Sequence, residues 1–152
     1  MTVKLFADSA SDLPAAYFKE HNIELLPLKV HIDGQDYEDL ITIEPETVFN
    51  KIREGHMPKT SQVSPDLFLK RFTELAESNQ SGIYVAFSSQ LSGTYQTAVM
   101  IRDQVKEDYP DLDLTIIDSK CASLGYGLVV MKAAELLQNG GTKEEIIQAS
   151  RF

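Results

Sequence analysis

Short apolar segments alternate with longer helix-like ones through most of the chain, and this alternation limits the possible folds more than any other feature. Residues 83–87 and 114–117 are typical of buried strands, and residues 3–8 resemble them. Helix-like segments over residues 93–108 and 124–138 follow two of these strands. Strands connected through helices form right-handed crossovers. We therefore expect an α/β fold, a parallel sheet flanked by helices on both faces.

The first half of the chain lacks this regular alternation and contains residues that interrupt strands or form turns. Residues 23–32 are rich in β-forming side chains, but Pro27 lacks an N–H and places this segment at a sheet edge or starts a new strand. Asp33-Gly34 then signals a tight hairpin turn. Residues 56–63, which lie between two predicted helices, have neither the helical nor the strand period. We expect them to form a loop rich in hydroxyl groups.

Charge and cysteine content exclude several classes of function. The 152 residues carry 14 Lys+Arg against 23 Asp+Glu, a formal net charge of −9. Such a field repels the phosphates of nucleic acids and of anionic membranes. No apolar run is long enough for stable membrane insertion. The single cysteine, Cys121, forms no disulfide within the chain and suits a reducing compartment, so we expect a one-domain cytoplasmic protein.

Three of the predicted strands end in similar polar pairs. These pairs are Asp8-Ser9, Ser88-Ser89 and Asp118-Ser119. In an open α/β sheet, ligands bind outside the carboxyl ends of the strands, so the three pairs are expected to line one crevice. Taken singly, Asp and Ser at such positions are ordinary turn and capping residues.

The segment from Ser88 to Tyr95 enters a predicted helix and is the most informative loop. Ser92 is the expected N-cap, and Gly93 allows close approach of a ligand to the backbone. A helix start with flanking hydroxyls can hold an anion, but this loop lacks the lysine and glycines of a nucleotide-binding loop. A carboxylate fits better. Thr60-Ser61 can add hydroxyl donors if their loop folds over the same crevice.

An enzymatic function is the alternative. A small α/β hydrolase or phosphotransferase could use Asp8, Ser92 or Asp118, although no histidine lies in the three strand-end loops to serve as a base. The histidines share no metal-ligand spacing, so neither a metal nor a cofactor is expected.

The C-terminal segment opens a further helix. Thr142 and Glu145 have the spacing of a capping box, and Ile146 and Ile147 follow on the apolar side. Such a helix either packs back on its own domain or leads to a partner surface. The sequence leaves both possibilities open.

Four motifs together resemble the DegV family of bacterial lipid-binding proteins. The matching segments, in family order, are residues 8–14 (DSASDLP), residues 58–65 (PKTSQVSP), residues 88–95 (SSQLSGTY), and Asp118-Ser119 with Ser123, Gly125 and Gly127. The resemblance implies a protein with no chemistry of its own. It would hold a long-chain fatty acid and present the carboxylate to a separate ATP-dependent fatty-acid kinase.

The resemblance also implies a set of site residues and a domain boundary. The family's carboxylate clamp corresponds to Thr60 and Ser92, with the Gly93 backbone beside them. The complete expected ligand-binding set is Thr60, Ser61, Ser92, Gly93, Thr94 and Ser119. Residues 1–139 would form the N-terminal head-group domain, and residues 140–152 would start a helix leading to an absent C-terminal domain. Self-association through the face left uncovered is then expected.

Overall fold

The described strands form two sheets, one parallel and one antiparallel. The computed structural model describes residues 3–9, 13–32, 34–38, 45–55, 59–86, 93–120 and 123–150. The elements in chain order are β1 (Val3–Asp8), α1 (Ala15–Glu20), β2 (Ile23–Leu26), β3 (Leu28–Ile32), β4 (Gln35–Glu38), α2 (Pro45–Arg53), β5 (Lys59–Val63), α3 (Pro65–Ser78), β6 (Ser81–Ala86), α4 (Thr94–Asp108), β7 (Leu114–Asp118), α5 (Ser123–Gln138) and α6 (Lys143–Ser150).

The larger sheet is parallel throughout and has the strand order β2-β1-β6-β7. Successive residues of a strand face opposite sides of the sheet, so each strand serves two cores. Phe6 and Tyr84 pack with α3 and α4 on one side. Leu5 and Ile83 pack with α1, α5 and α6 on the other. The predicted α/β fold, with helices on both faces of a parallel sheet, is confirmed.

The smaller sheet is antiparallel, with the order β4-β3-β5. Pro27 divides the β-rich segment in two, since β2 ends before it at the edge of the parallel sheet and β3 begins after it in the second sheet. Gly34, with φ of +76°, makes the predicted tight turn into β4. The loop predicted over residues 56–63 is wrong for its second part, because Lys59–Val63 is a strand.

Strand β5 is stabilised by pairing with β3, because its own sequence lacks the apolar–polar alternation of a strand. It pairs with β3 from Leu28–Val63 to His31–Lys59, with an irregularity between Leu28 and Lys29. The backbone groups of a polar segment gain hydrogen bonds from such pairing whatever its side-chain period. A strand stabilised this way leaves no signal in a local search for alternation.

Helix α6 packs against its own domain. Its capping box is present, since the Glu145 N–H donates to Thr142 Oγ1 at 3.2 Å and the Thr142 N–H donates to Glu145 Oε1 at 3.3 Å. Ile146 is 1% exposed and belongs to the core formed with α1 and α5. No helix of the described segments has the length and apolar character needed to cross a membrane.

The first turn of α6 is tied to the amino ends of the strands. Lys143 forms an ion pair with Asp113, just before β7, and the Ser81 hydroxyl at the start of β6 donates to Asp113 Oδ2 at 2.7 Å. The hydrogen bond from Lys143, followed by that from Ser81, lowers the pKa of Asp113. Because Asp113 is largely exposed, the ion pair adds only about 0.2–1 kcal/mol.

The packing of α6 predicts a contrast between two adjacent isoleucines. Ile146→Ala empties a fully buried position and is expected to lower the free energy of unfolding by about 2–5 kcal/mol. Ile147→Ala, at a half-buried position, is the matched control and should cost clearly less. Urea unfolding of both variants measures the difference. Equal losses would show that α6 does not dock through Ile146.

Candidate functional site

The carboxyl edge of the parallel sheet contains a point where the chain connections reverse direction. From β1 the chain passes through α1 to β2 on one side, and from β6 it passes through α4 to β7 on the other. Helices α1 and α4 accordingly lie on opposite faces of the sheet. Such a switch point leaves a crevice between the two central strands, which is where open α/β sheets bind ligands.

The predicted polar strand ends meet at this edge. Asp8 is in register with Leu26 at the end of β1 and β2, and Asp118 is in register with Ala86 at the end of β6 and β7. Ser9 and Ser119 directly follow, and both are buried. Ser88 and Ser89 lie outside the described residues. The expectation that Asp8 and Asp118 share one edge is confirmed.

A buried carboxylate and two buried tyrosines lie together near the carboxyl ends of β1 and β6. The Tyr84 hydroxyl donates to Asp8 Oδ2 at 2.6 Å. The Tyr126 hydroxyl, from α5, accepts from the Asp8 N–H at 2.9 Å and donates to the Val85 carbonyl at 2.6 Å. All three side chains are fully buried. The Asp8 carboxylate is therefore a closed structural group and is poorly placed to act as a nucleophile or base.

Burial also sets the protonation state of the two tyrosines. Desolvation, followed by the negative charge of Asp8, raises the pKa of both Tyr84 and Tyr126 well above 10.0. Both hydroxyls are thus neutral donors at physiological pH. Sequence reasoning missed them because each tyrosine sits among apolar residues, Tyr84 in the strand and Tyr126 in the helix, and looks like ordinary core.

Ser9, Ser119 and Asp118, at the ends of the strands, form hydrogen bonds with backbone groups. Ser9 Oγ accepts from the Leu28 N–H at 3.0 Å, which connects the end of β1 to the start of the antiparallel sheet. The Ser119 N–H donates to the Ala86 carbonyl at 3.1 Å. The Lys120 N–H donates to Asp118 Oδ1 at 2.9 Å, an Asx-type turn that leads towards α5. Asp118 therefore shapes the β7–α5 connection.

Helix α4 begins at the same edge, one residue later than predicted. Its N-cap is Gly93, whereas Ser92, the predicted N-cap, lies outside the described residues. The Thr97 N–H donates to the Gly93 carbonyl at 3.0 Å, which closes the first turn. Gly93 is exposed, and Thr94 is 1% exposed. The first turn of this 15-residue helix carries no acidic side chain, so the positive end of its dipole is not offset locally.

Thr60 and Ser61 lie on β5. Thr60 is in register with Val30 and Ser61 with Lys29, and β5 ends at Val63 opposite Leu28. Since Leu28 is bonded to Ser9, β5 reaches the carboxyl edge of the parallel sheet at its own C-terminal end. Thr60 and Ser61 occupy consecutive positions of this strand.

No cluster of three His, Cys, Asp or Glu side chains that could hold a metal ion occurs in the described part of the chain. A cavity of about 700 Å³ is lined by α1 and the edge strand β2. A second cavity, of about 70 Å³, lies beside Arg71 and Glu24. Both are separate from the switch point between β1 and β6.

The sequence matches a known family model and curated relatives of the same family. A model of the DegV family, described as uncharacterised, matches residues 2–151. A DegV domain-containing protein of Clostridium perfringens is 43% identical over 144 residues, which is 93% of this chain and 50% of the relative. The chain spans about half the length of the curated relatives that it matches.

Two of the solved structures with this fold are described as binding, or as loaded with, a fatty acid. A stearic-acid-binding protein from Eubacterium ventriosum superposes with a TM-score of 0.88 at 28% identity, covering 97% of this chain and 51% of that chain. The fatty acid kinase B3 protein of Streptococcus pneumoniae, loaded with linoleic acid, superposes with a TM-score of 0.78 at 26% identity. This second match covers 99% of this chain and 53% of that chain.

The tyrosine cluster predicts a specific alkaline behaviour. Above pH 10.0, the ordinary pKa, the unfolded chain loses phenolic protons that folded Tyr84 and Tyr126 retain, so stability falls as pH rises. In a spectrophotometric titration, these two tyrosines should ionise only as the protein unfolds. Tyr84→Phe and Tyr126→Phe should each remove one such late group. Ionisation of all tyrosines before unfolding would contradict the burial of the cluster.

Proposed function

Because the chain belongs to the DegV family, we propose that it binds a long-chain fatty acid by its carboxylate. The observation that carries the proposal is the superposition of 97% of this chain on a stearic-acid-binding protein with a TM-score of 0.88. The proposed place is the carboxyl edge of the parallel sheet, where the switch point and the start of α4 coincide.

The chemistry of this edge suits a single carboxylate. The start of α4 supplies backbone N–H groups and the positive end of a helix dipole. The proposed donors are the hydroxyls of Thr60, Ser92, Thr94 and Ser119, with the backbone of Gly93 beside them. Ser61 remains a proposed contact on the neighbouring strand position. Neutral donors suffice, because an acyl tail contributes about 0.8 kcal/mol for each buried CH₂.

The proposed role is binding without chemistry. The two carboxylates that the alternative enzyme mechanism would use form structural hydrogen bonds. Asp8 is buried and bonded to Tyr84, and Asp118 accepts from the Lys120 N–H. Helices cover both faces of the sheet, so a head group held at its edge would be open to a second protein. The likeness to the fatty acid kinase B3 protein supports presentation of the carboxylate to an ATP-dependent kinase in the cytoplasm.

The proposed division of labour follows from the length of the relatives. We assign residues 1–139 to a head-group-binding domain and residues 140–152 to the helix that leads towards the second half found in those relatives. The acyl tail would be buried between or within both halves. Leu128 and Met131 on α5, which are 66% and 40% exposed, are proposed to be covered there or by self-association of the isolated chain.

Substitution of the two proposed clamp hydroxyls tests the proposal. A hydrogen bond to a charged group contributes about 1.5–3 kcal/mol, so Thr60→Ala and Ser92→Ala should each weaken oleate binding about tenfold or more. Isothermal titration of oleate into the 152-residue chain measures the affinity.

Ser64→Ala provides the matched control. Ser64 precedes α3, and its side chain makes no capping hydrogen bond among the described residues, so its removal should leave affinity unchanged. Equal affinity of wild type and the Thr60→Ala/Ser92→Ala double variant would show that the head group is held elsewhere. No saturable oleate binding by the wild-type chain would refute the proposal for this chain.

A further inference from the structure

We propose that Tyr126 is a positioning residue of the carboxylate site, because its hydroxyl joins the two strands from which the proposed ligand-binding groups extend. The inference rests on the proposed function. Tyr126 lies on α5 and does not belong to the set of proposed ligand contacts.

The Tyr126 hydroxyl is bonded at the switch point itself. It accepts from the N–H of Asp8 at the end of β1 and donates to the carbonyl of Val85 near the end of β6. The last registered pair of these two strands is Ala7–Val85. One atom of a side chain from α5 thus holds both strands where their ladder ends and the crevice begins.

The first strand leads from this atom to Thr60. Ser9, the residue after β1, accepts the Leu28 N–H at 3.0 Å. Leu28 is in register with Val63 at the end of β5, and Thr60 lies three residues earlier, about 10 Å along an extended strand. The end of β1 is therefore bonded to the start of the antiparallel sheet, to which β5 and Thr60 belong.

The second strand leads to the other side of the site. Ala86 follows Val85, and its carbonyl accepts the Ser119 N–H at 3.1 Å. The chain that leaves β6 also enters α4, whose first residue, Thr94, is buried. A shift of Val85 relative to Asp8 would change the distance between the Thr60 group and the Ser119–Thr94 group.

Removal of the hydroxyl alone isolates this role. The Tyr126 ring packs in the core with Val129 and Val130, and phenylalanine fills the same volume. Tyr126→Phe therefore keeps the packing and breaks the two hydrogen bonds that join the strands. If the proposed donors are displaced in this variant, the contribution of the carboxylate to binding affinity should fall more than that of the acyl chain.

The test compares oleate with methyl oleate, which keeps the tail and removes the charge of the head group. In Tyr126→Phe, affinity for oleate should fall about five- to tenfold, whereas affinity for methyl oleate changes by less than about twofold. The preference for the acid over the ester therefore falls. A merely structural loss would weaken both ligands equally and leave that preference unchanged.

Two further variants complete the test. Ser81→Ala removes a buried hydroxyl bonded to Asp113 at the opposite, amino edge of the same sheet, so it should lower stability and keep the preference. Ser9→Ala breaks the Leu28 link and should reduce the preference as Tyr126→Phe does, which keeps the inference testable if Tyr126→Phe fails to fold. An unchanged preference in the folded variants would overturn the inference alone. A wild-type chain without preference for oleate would overturn the proposed function and the inference with it.

Discussion

Complete burial of the central strands is the constraint on which the rest of the molecule depends. All six residues of β6 are buried, and β1 ends in a run of four buried residues. Side chains on both faces of these strands meet helices, so a polar group can be accommodated only where a strand ends. The polar groups of the central strands therefore lie mainly at the two ends of these strands. The two edges differ in the residues that form hydrogen bonds with their polar groups.

At the amino edge the polar groups are paired with one another, and the carboxyl edge is the proposed ligand site. At the amino edge, Lys143 and Ser81 satisfy Asp113, and α6 packs over the sheet through Ile146. At the carboxyl edge, the buried Asp8 requires donors, since a buried polar group without a partner costs about 1–3 kcal/mol. Tyr84 supplies one, and Tyr126 satisfies the Asp8 backbone. This cluster joins the ends of β1 and β6, and the exposed Gly93 begins α4 at the same edge.

Local signals in the sequence predicted the features that depend on neighbouring residues. The Thr142–Glu145 capping box, the Gly34 turn and the interruption at Pro27 were all predicted, because each depends on residues within a few positions. Strand β5 was not predicted, since it depends on pairing with β3. The bond between Tyr126 and Asp8 joins residues 118 positions apart, and no periodicity reports such a contact. The residues themselves predicted a carboxylate-sized anion site at the start of α4, whereas the acyl tail was implied only by the family resemblance, because hydroxyl-rich loops carry no signal for a distant apolar ligand.

The central claim is that the carboxyl edge of this sheet holds a fatty acid. Its most direct measurement is mass spectrometry of the chain after purification without detergent or organic solvent, first intact under native conditions and then after lipid extraction. The account predicts a bound species with the mass of a long-chain fatty acid, at no more than one per chain, that is absent from the extract of an unrelated acidic protein prepared in parallel. A chain that carries no fatty acid, and acquires none when incubated with oleate, would contradict the account.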